Sequence, residues 1–196
     1  MITIKQIDSS YFPQYDAIPM LVLVKSEYKL VKQNNGLGGI IFAETPVEPY
    51  VKDFREGETE SDIPWRKGWA NKWDISNWAF FMAFDGDRPI GAVCIVTRTE
   101  DVNMLCGRDD LAVLWDIRVA DEYKRQGVGR SLFQSAVDWS KSQGMKQLKI
   151  ECQNNNVPAV KFYRKQGAVL GSFDENAYHG DPYAVGETQF IRYLDL

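Results

Sequence analysis

The densest set of chemically useful groups in the chain begins at a strand-like run, Leu111 to Val119, and continues into Tyr123-Lys124-Arg125-Gln126-Gly127-Val128-Gly129-Arg130, where a helical pattern opens. The first turn of a helix presents N–H groups that lack an intrahelical partner, and the aligned peptide dipoles add positive potential there. With Lys124, Arg125 and Arg130 beside them, these groups make an anion site. A pyrophosphate is the natural ligand, and the molecule carrying it stays open. The P-loop spacing does not occur. Gly127-Val128-Gly129 without a third glycine and a downstream ribose carboxylate is not the dinucleotide fingerprint. Cys94, Cys106 and Cys152 have no C-x-x-C spacing and His179 is the single histidine, so no zinc set or disulfide framework is expected. Nothing in the spacing orients Cys152 and His179 as nucleophile and base.

These groups need a scaffold. At about 150 residues per domain, 196 residues favour one domain over 1–196. The longest apolar run, Ile18 to Val24, is far short of the ~20 residues of a membrane span, and no leader pattern follows Met1. A cytoplasmic protein with no membrane partner is expected. The net charge of −4 argues against nucleic acid and leaves room for a cationic substrate.

Strand patterns fall at Ile2 to Ile7, Leu21 to Val31, Gly39 to Glu44, Trp78 to Phe84, Ile90 to Thr97, Leu111 to Val119 and Leu148 to Cys152, with last strands at Phe173 and Thr188 to Leu194. Asp85-Gly86-Asp87-Arg88-Pro89 is a hairpin turn. One helix runs to about Gln143, with Val128, Leu132, Phe133, Ala136 and Val137 inward and Gly144 just past its end. A second, capped by Asn156 with Pro158 in its first turn, sets Ala159, Phe162, Tyr163 and Gln166 on one face and stops at Gly167. That order describes an α/β (α+β) fold with a mixed sheet. The acidic run Glu56 to Asp62 reads as a solvated loop. Trp65, Trp69 and Trp73, at i, i+4, i+8, form a stripe that is either core or a wall of an acceptor pocket.

The segment 114–130 resembles the acetyl-CoA motif of the GNAT N-acetyltransferases, with Lys124 in the place usually held by Arg or Gln. Asn156-Val157-Pro158-Ala159-Val160-Lys161-Phe162-Tyr163-Arg164-Lys165-Gln166-Gly167 is similar to that superfamily's second motif, so the coenzyme motifs cover 111–167. Pro49-Tyr50-Val51-Lys52-Asp53-Phe54 and Glu187-Thr188 narrow the resemblance to streptothricin acetyltransferases, although Trp65 to Trp78 does not fit that subgroup. The resemblance implies a GNAT-like fold: a central mixed, mostly antiparallel sheet splayed at strands 4 and 5, with helices on both faces. It implies acetyl-CoA as co-substrate, direct transfer to an amine, and no metal.

It also implies roles. Ile117, Val119, Lys124, Arg125, Gln126, Gly127, Val128, Gly129, Arg130, Ser131, Asn156, Ala159, Phe162, Tyr163 and Lys165 would contact the coenzyme, with Lys161 also near the ribose phosphate. The Val119 N–H would donate to the thioester oxygen. An alkylamine of pKa about 10.4 lies roughly 4.6 kcal/mol from its neutral form at pH 7, so a carboxylate base is expected, either Glu151 or Asp116, directly or through a water. Each is otherwise a strand-end carboxylate pairing with Lys149 or Arg118. Tyr163 would be the general acid to the leaving thiolate.

Tyr50, Asp53 and Glu187 are the candidate acceptor contacts, within an acidic excess that also includes Glu44, Glu48, Asp174, Glu175 and Asp181. The implied acceptor is a cationic small-molecule amine, the β-lysine portion of a streptothricin-type antibiotic. The alternatives are a protein N-terminal acetyltransferase and a non-catalytic CoA-binding module, the latter suggested by Trp115. A monomer or homodimer fits either.

Overall fold

The computed structural model describes residues 1–54 and 65–196 and, of the helix that opens at Trp65, side chains from Gly68 onward. The acidic run 56–62 and the Trp65 indole therefore lie outside the described residues. The chain divides into two compact units. Of the described residues, the first comprises 1–20, 65–150 and 193–196, and the second comprises 21–54 and 151–192.

In the first unit, β1 (Ile2–Ile7), β4 (Trp78–Asp85), β5 (Arg88–Thr97), β6 (Leu111–Val119) and the first part of β7 (Gln147–Gln153), up to Ile150, hydrogen-bond in that order. The first three pairings are antiparallel and the last is parallel. This is the mixed, mostly antiparallel sheet expected. Its fourth and fifth strands, β6 and β7, pair from Leu111–Gln147 to Leu114–Ile150. Next to that limit the β5–β6 register slips, Cys94 opposing Asp116 and Ile95 opposing Leu114, so Trp115 is the extra residue of a bulge.

Helix α1 (Phe12–Asp16) and α2 (Trp65–Lys72) contribute Phe12, Tyr15 and Trp69 to a core with Trp78, Phe80 and Met82. Trp73 and Trp115 pack against that core, and Trp69, Trp73, Trp78 and Trp115 pair ring to ring at 5.5–6.1 Å. Trp69 and Trp73 are thus core. Helix α3 (Val128–Ser142) buries the five residues its periodicity selects, and Gly144 has the positive φ of a C-terminal stop. It closes on the sheet at Gly91, where a Cβ would stand 2.9 Å from Leu132 Cδ1 and 3.0 Å from the Arg118 carbonyl.

In the second unit, β2 (Leu21–Lys32) and β3 (Ile40–Asp53) form a long hairpin. β3 is more than twice as long as the short extended piece expected at Gly39 to Glu44. The prolines that hid it are accommodated: Pro46 faces Ser26, and Pro49 falls in the stretch skipped where the register shifts between Val24 and Ser26. β9 (Gln189–Asp195) lies between β7 and β8 (Val169–Asp174) in the hydrogen-bonded order.

Helix α4 (Val157–Lys165) is capped as expected, Asn156 Oδ1 accepting from the Ala159 N–H at 3.2 Å. Its buried face is Val157, Val160 and Tyr163, a correction to the face read from the sequence. Ala159, Phe162 and Gln166 are only half-buried, as is Asn156. Among the described residues no helix is long and apolar enough to cross a membrane.

Candidate active site

The candidate anion site of the first unit is built by backbone. After β6 the chain makes a short 3-10 turn (Asp121–Tyr123), then Arg125 at φ +62° and Gly127 at φ +92°, before α3 begins at Val128. Left-handed residues alternating with right-handed ones are the backbone geometry from which anion-binding nests are made. Left-handed φ in arginine costs about 1–3 kcal/mol, which the surroundings must hold in place. They do so through neighbours: Gln126 Nε2 donates to the Glu122 carbonyl at 2.6 Å, Tyr123 Oη to Asp85 at 3.1 Å, and Arg88 pairs with Glu122.

No side chain caps α3 at Gly127. Lys124, Arg125, Gln126, Gly127, Arg130 and Ser131 are all exposed, Gly129 is half-exposed, and Val128 faces the core. The helix start is therefore exposed and has no side-chain cap, and the basic residues Lys124, Arg125 and Arg130 lie in the same exposed stretch, Lys124 paired with Asp121.

On β6, Ile117 and Val119 are half-buried, whereas Asp116 and Arg118 are buried and bonded to each other. Arg118 Nε and Nη2 reach Asp116 Oδ2 at 3.0 and 2.9 Å, Nη1 donates to the Ile18 carbonyl at 2.9 Å, and the guanidinium lies 5.3 Å from the Tyr15 ring centroid. Both side chains are 1% exposed. Asp116 is a member of a desolvated ion pair.

The second unit gathers Glu151, Tyr50 and Glu187, and adds residues that the motifs did not single out. Glu151, half-buried, accepts from the Tyr178 hydroxyl at 2.7 Å, not from Lys149, whose ammonium donates to the Met104 carbonyl at 3.0 Å. Lys52 forms a buried ion pair with Glu187 and also donates to the Tyr183 carbonyl at 3.0 Å. Asn155 Nδ2 donates to Glu187 Oε1 at 2.8 Å and to Tyr50 Oη at 3.2 Å.

The three consecutive asparagines divide the work. Asn154 ties β2 to the C-terminal segment through Tyr28 and Thr188, Asn155 joins Tyr50 to Glu187, and Asn156 caps α4. Asp53 is half-buried at the end of β3. Tyr163, on α4, is 5% exposed and packs edge-on to Phe162, while Lys165 is exposed.

Burial decides the proton states here. The Tyr178 phenol is pushed up first by desolvation, then by the Glu151 charge and hydrogen bond, and further by Glu187 and Cys152. It therefore serves only as a donor. Burial likewise raises the Cys152 thiol to about 12 against the opposing pull of Arg192. Among the described residues no group of three His, Cys, Asp or Glu side chains is placed to hold a metal ion.

Residues 44–168 match the model of the acetyltransferase (GNAT) family. Streptothricin acetyltransferase A of Bacillus subtilis (strain 168) is 36% identical over 73 residues, 37% of this chain and 42% of the relative. The ribosomal protein bS18-alanine N-acetyltransferase of Escherichia coli (strain K12) is 32% identical over 69 residues, 35% of this chain and 47% of the relative. Either match spans less than half of the curated relative. A crystal structure of a candidate streptothricin acetyltransferase from Bacillus anthracis str. Ames, in complex with acetyl coenzyme A, superposes with a TM-score of 0.77 over 100% of both chains at 25% identity.

Proposed function

The chain belongs to the acetyltransferase (GNAT) family, and from that premise we propose that residues 1–196 are one catalytic domain moving the acetyl group of acetyl-CoA directly to a primary amine of a cationic small molecule, of the streptothricin type. The observation that carries this reading is the exposed, uncapped start of α3 behind left-handed Arg125 and Gly127, a site with the charge and donors a pyrophosphate needs. The Bacillus anthracis structure, solved with acetyl coenzyme A, supports the same ligand.

On this reading 124–131 hold the pyrophosphate. Ile117 and Val119 flank the acetyl end, with the Val119 N–H donating to the thioester oxygen. Asn156, Ala159 and Phe162 form a half-buried stripe of α4 that the pantetheine arm covers, and Lys165 lies nearer the nucleotide. Glu151 is the base and Tyr163 the acid. Asp116 is assigned to structure, because its carboxylate is buried and shared with the Arg118 guanidinium.

Tyr50 and Asp53 meet the acceptor. Glu187 acts through Lys52 and Asn155, since its Oε1 already receives both. Similarity to the bS18-alanine N-acetyltransferase supports a second reading, a peptide N-terminal acceptor. Thiol release from acetyl-CoA with streptothricin, polyamines, aminoglycosides and short peptides decides between them. Turnover with streptothricin and none with peptides is expected; binding of CoA with no turnover of any amine would leave a coenzyme-binding module.

A further inference from the structure

We infer that Tyr178 is a positioning residue for the catalytic base: its hydroxyl fixes Glu151 through Oε1, so that Oε2 is the oxygen that takes the proton of the acceptor amine. This rests on the assignment of Glu151 as base in the preceding reading.

The argument starts from hydrogen counting. A phenol has one hydrogen to give, and the 2.7 Å contact to Glu151 Oε1 is where it goes. Glu187, the other carboxylate acting on this phenol, has its Oε1 occupied by the Lys52 ammonium and the Asn155 amide. Its charge is thus compensated locally, and the Tyr178 hydrogen is left for Glu151. The neighbouring titratable groups are Cys152, held protonated by burial, and Arg192, which faces that thiol. Tyr178 lies in the connection between β8 and β9, so without this bond a half-buried carboxylate at the end of β7 has no rotamer anchor from that connection.

Tyr178 therefore gives the base a fixed direction. In the transfer, the amine nitrogen bonds the acetyl carbon as the carbon–sulfur bond breaks. The nitrogen's proton goes to Glu151 Oε2, and the sulfur's electron pair takes a proton from Tyr163.

The test is Tyr178→Phe, which keeps the ring. In protein carrying carboxyl-13C glutamate, with the Glu151 resonance assigned by its loss in Glu151→Gln, the Glu151 carboxyl resonance should shift and broaden as the side chain loses its anchor. An unmoved resonance overturns the inference. With streptothricin, kcat should fall about tenfold while KM for acetyl-CoA holds. The fall should vanish when Tyr178→Phe is made in Glu151→Gln; an equal penalty in that background overturns the inference. Tyr178→3-fluorotyrosine, which keeps the donor and the shape, should hold the Glu151 resonance and kcat near wild type, and a loss as large as that of Tyr178→Phe counts against the inference equally. Wild-type turnover by Glu151→Gln would instead remove the base assignment itself. An inactive Glu151→Gln with a Tyr178→Phe unchanged in resonance and kcat would remove only the role of Tyr178.

Discussion

Each compact unit contains a buried ion pair, and the two are made in opposite ways. Asp116 and Arg118 are two residues apart on one face of one strand, so forming β6 brings them together. Lys52 and Glu187 are separated by 135 positions and meet only when β3 and the segment before β9 are both in place. The same contrast runs through the chemistry. The proposed anion site is a continuous stretch, 124–131, whose shape follows from local backbone conformation. The proposed base and acceptor side is assembled from Tyr50, Lys52, Glu151, Asn155, Tyr178 and Glu187, spread over more than 130 positions. A coenzyme site of the first kind is inherited as a segment. A substrate site of the second kind is respecified by changing residues far apart in the chain.

Breaking the long-range pair should give the largest effect. Lys52→Met leaves Glu187 buried without its cation and should cost about 3–5 kcal/mol in urea unfolding, whereas Lys52→Met with Glu187→Leu should recover most of that. A loss below 1 kcal/mol for the single variant would show that the second unit does not depend on the pair. On the local side, Gly127→Val should weaken CoA binding at least a hundredfold, or about 2.8 kcal/mol, by calorimetry. A Cβ at Gly127 meets nothing within 4 Å, so the defect comes from its left-handed φ and from occluding the ligand. Wild-type affinity in a folded variant would remove the cradle.

Tyr163→Phe separates binding from chemistry: turnover should drop more than tenfold while the Kd for CoA stays, and unchanged turnover would make Tyr163 a packing residue. The smallest effect tests how dry the second unit is. The Cys152 thiol is raised from its ordinary 9.0 to about 12, so folding excludes its ionised form. Its contribution is complete below pH 9 and is lost as pH rises toward 12. Cys152→Ala should therefore flatten the alkaline decline in stability by up to ~1.4 kcal/mol per pH unit, measured by urea unfolding between pH 8 and 11.

What was legible in the sequence follows the same division. β1, β4, β5, β6, α3 and the Asn156 cap are local patterns, and they fall within a residue or two of their expected bounds. The stretch 124–131 announced an anion site because glycine, basic side chains and a helix start are contiguous. The full length of β3 is not legible because Pro46 and Pro49 break the strand pattern, although one sits opposite Ser26 and the other in the register shift. The buried face of α4 is not legible because both of its stripes carry apolar residues and only packing tells them apart. Tyr178 lies in a connection without periodicity, and the spacing of Lys52 says nothing about a partner 135 positions on. For the base the sequence offers Glu151 ahead of Asp116, and which of the two is buried against Arg118 is visible only in the packed structure.

The distance between Lys52 and Glu187 also sets a clock. A ribosome adds about 5–20 residues per second, so some 7–27 s separate the synthesis of the lysine from that of its only carboxylate partner among the described residues. For that interval β3 holds an ammonium with nothing to neutralise it in the dry environment it will later occupy. The β2–β3 hairpin can zip early, but it cannot bury its end. The proposed acceptor side is therefore expected to be the last part of the nascent protein to set, and the part most exposed to proteolysis while the chain is still being made.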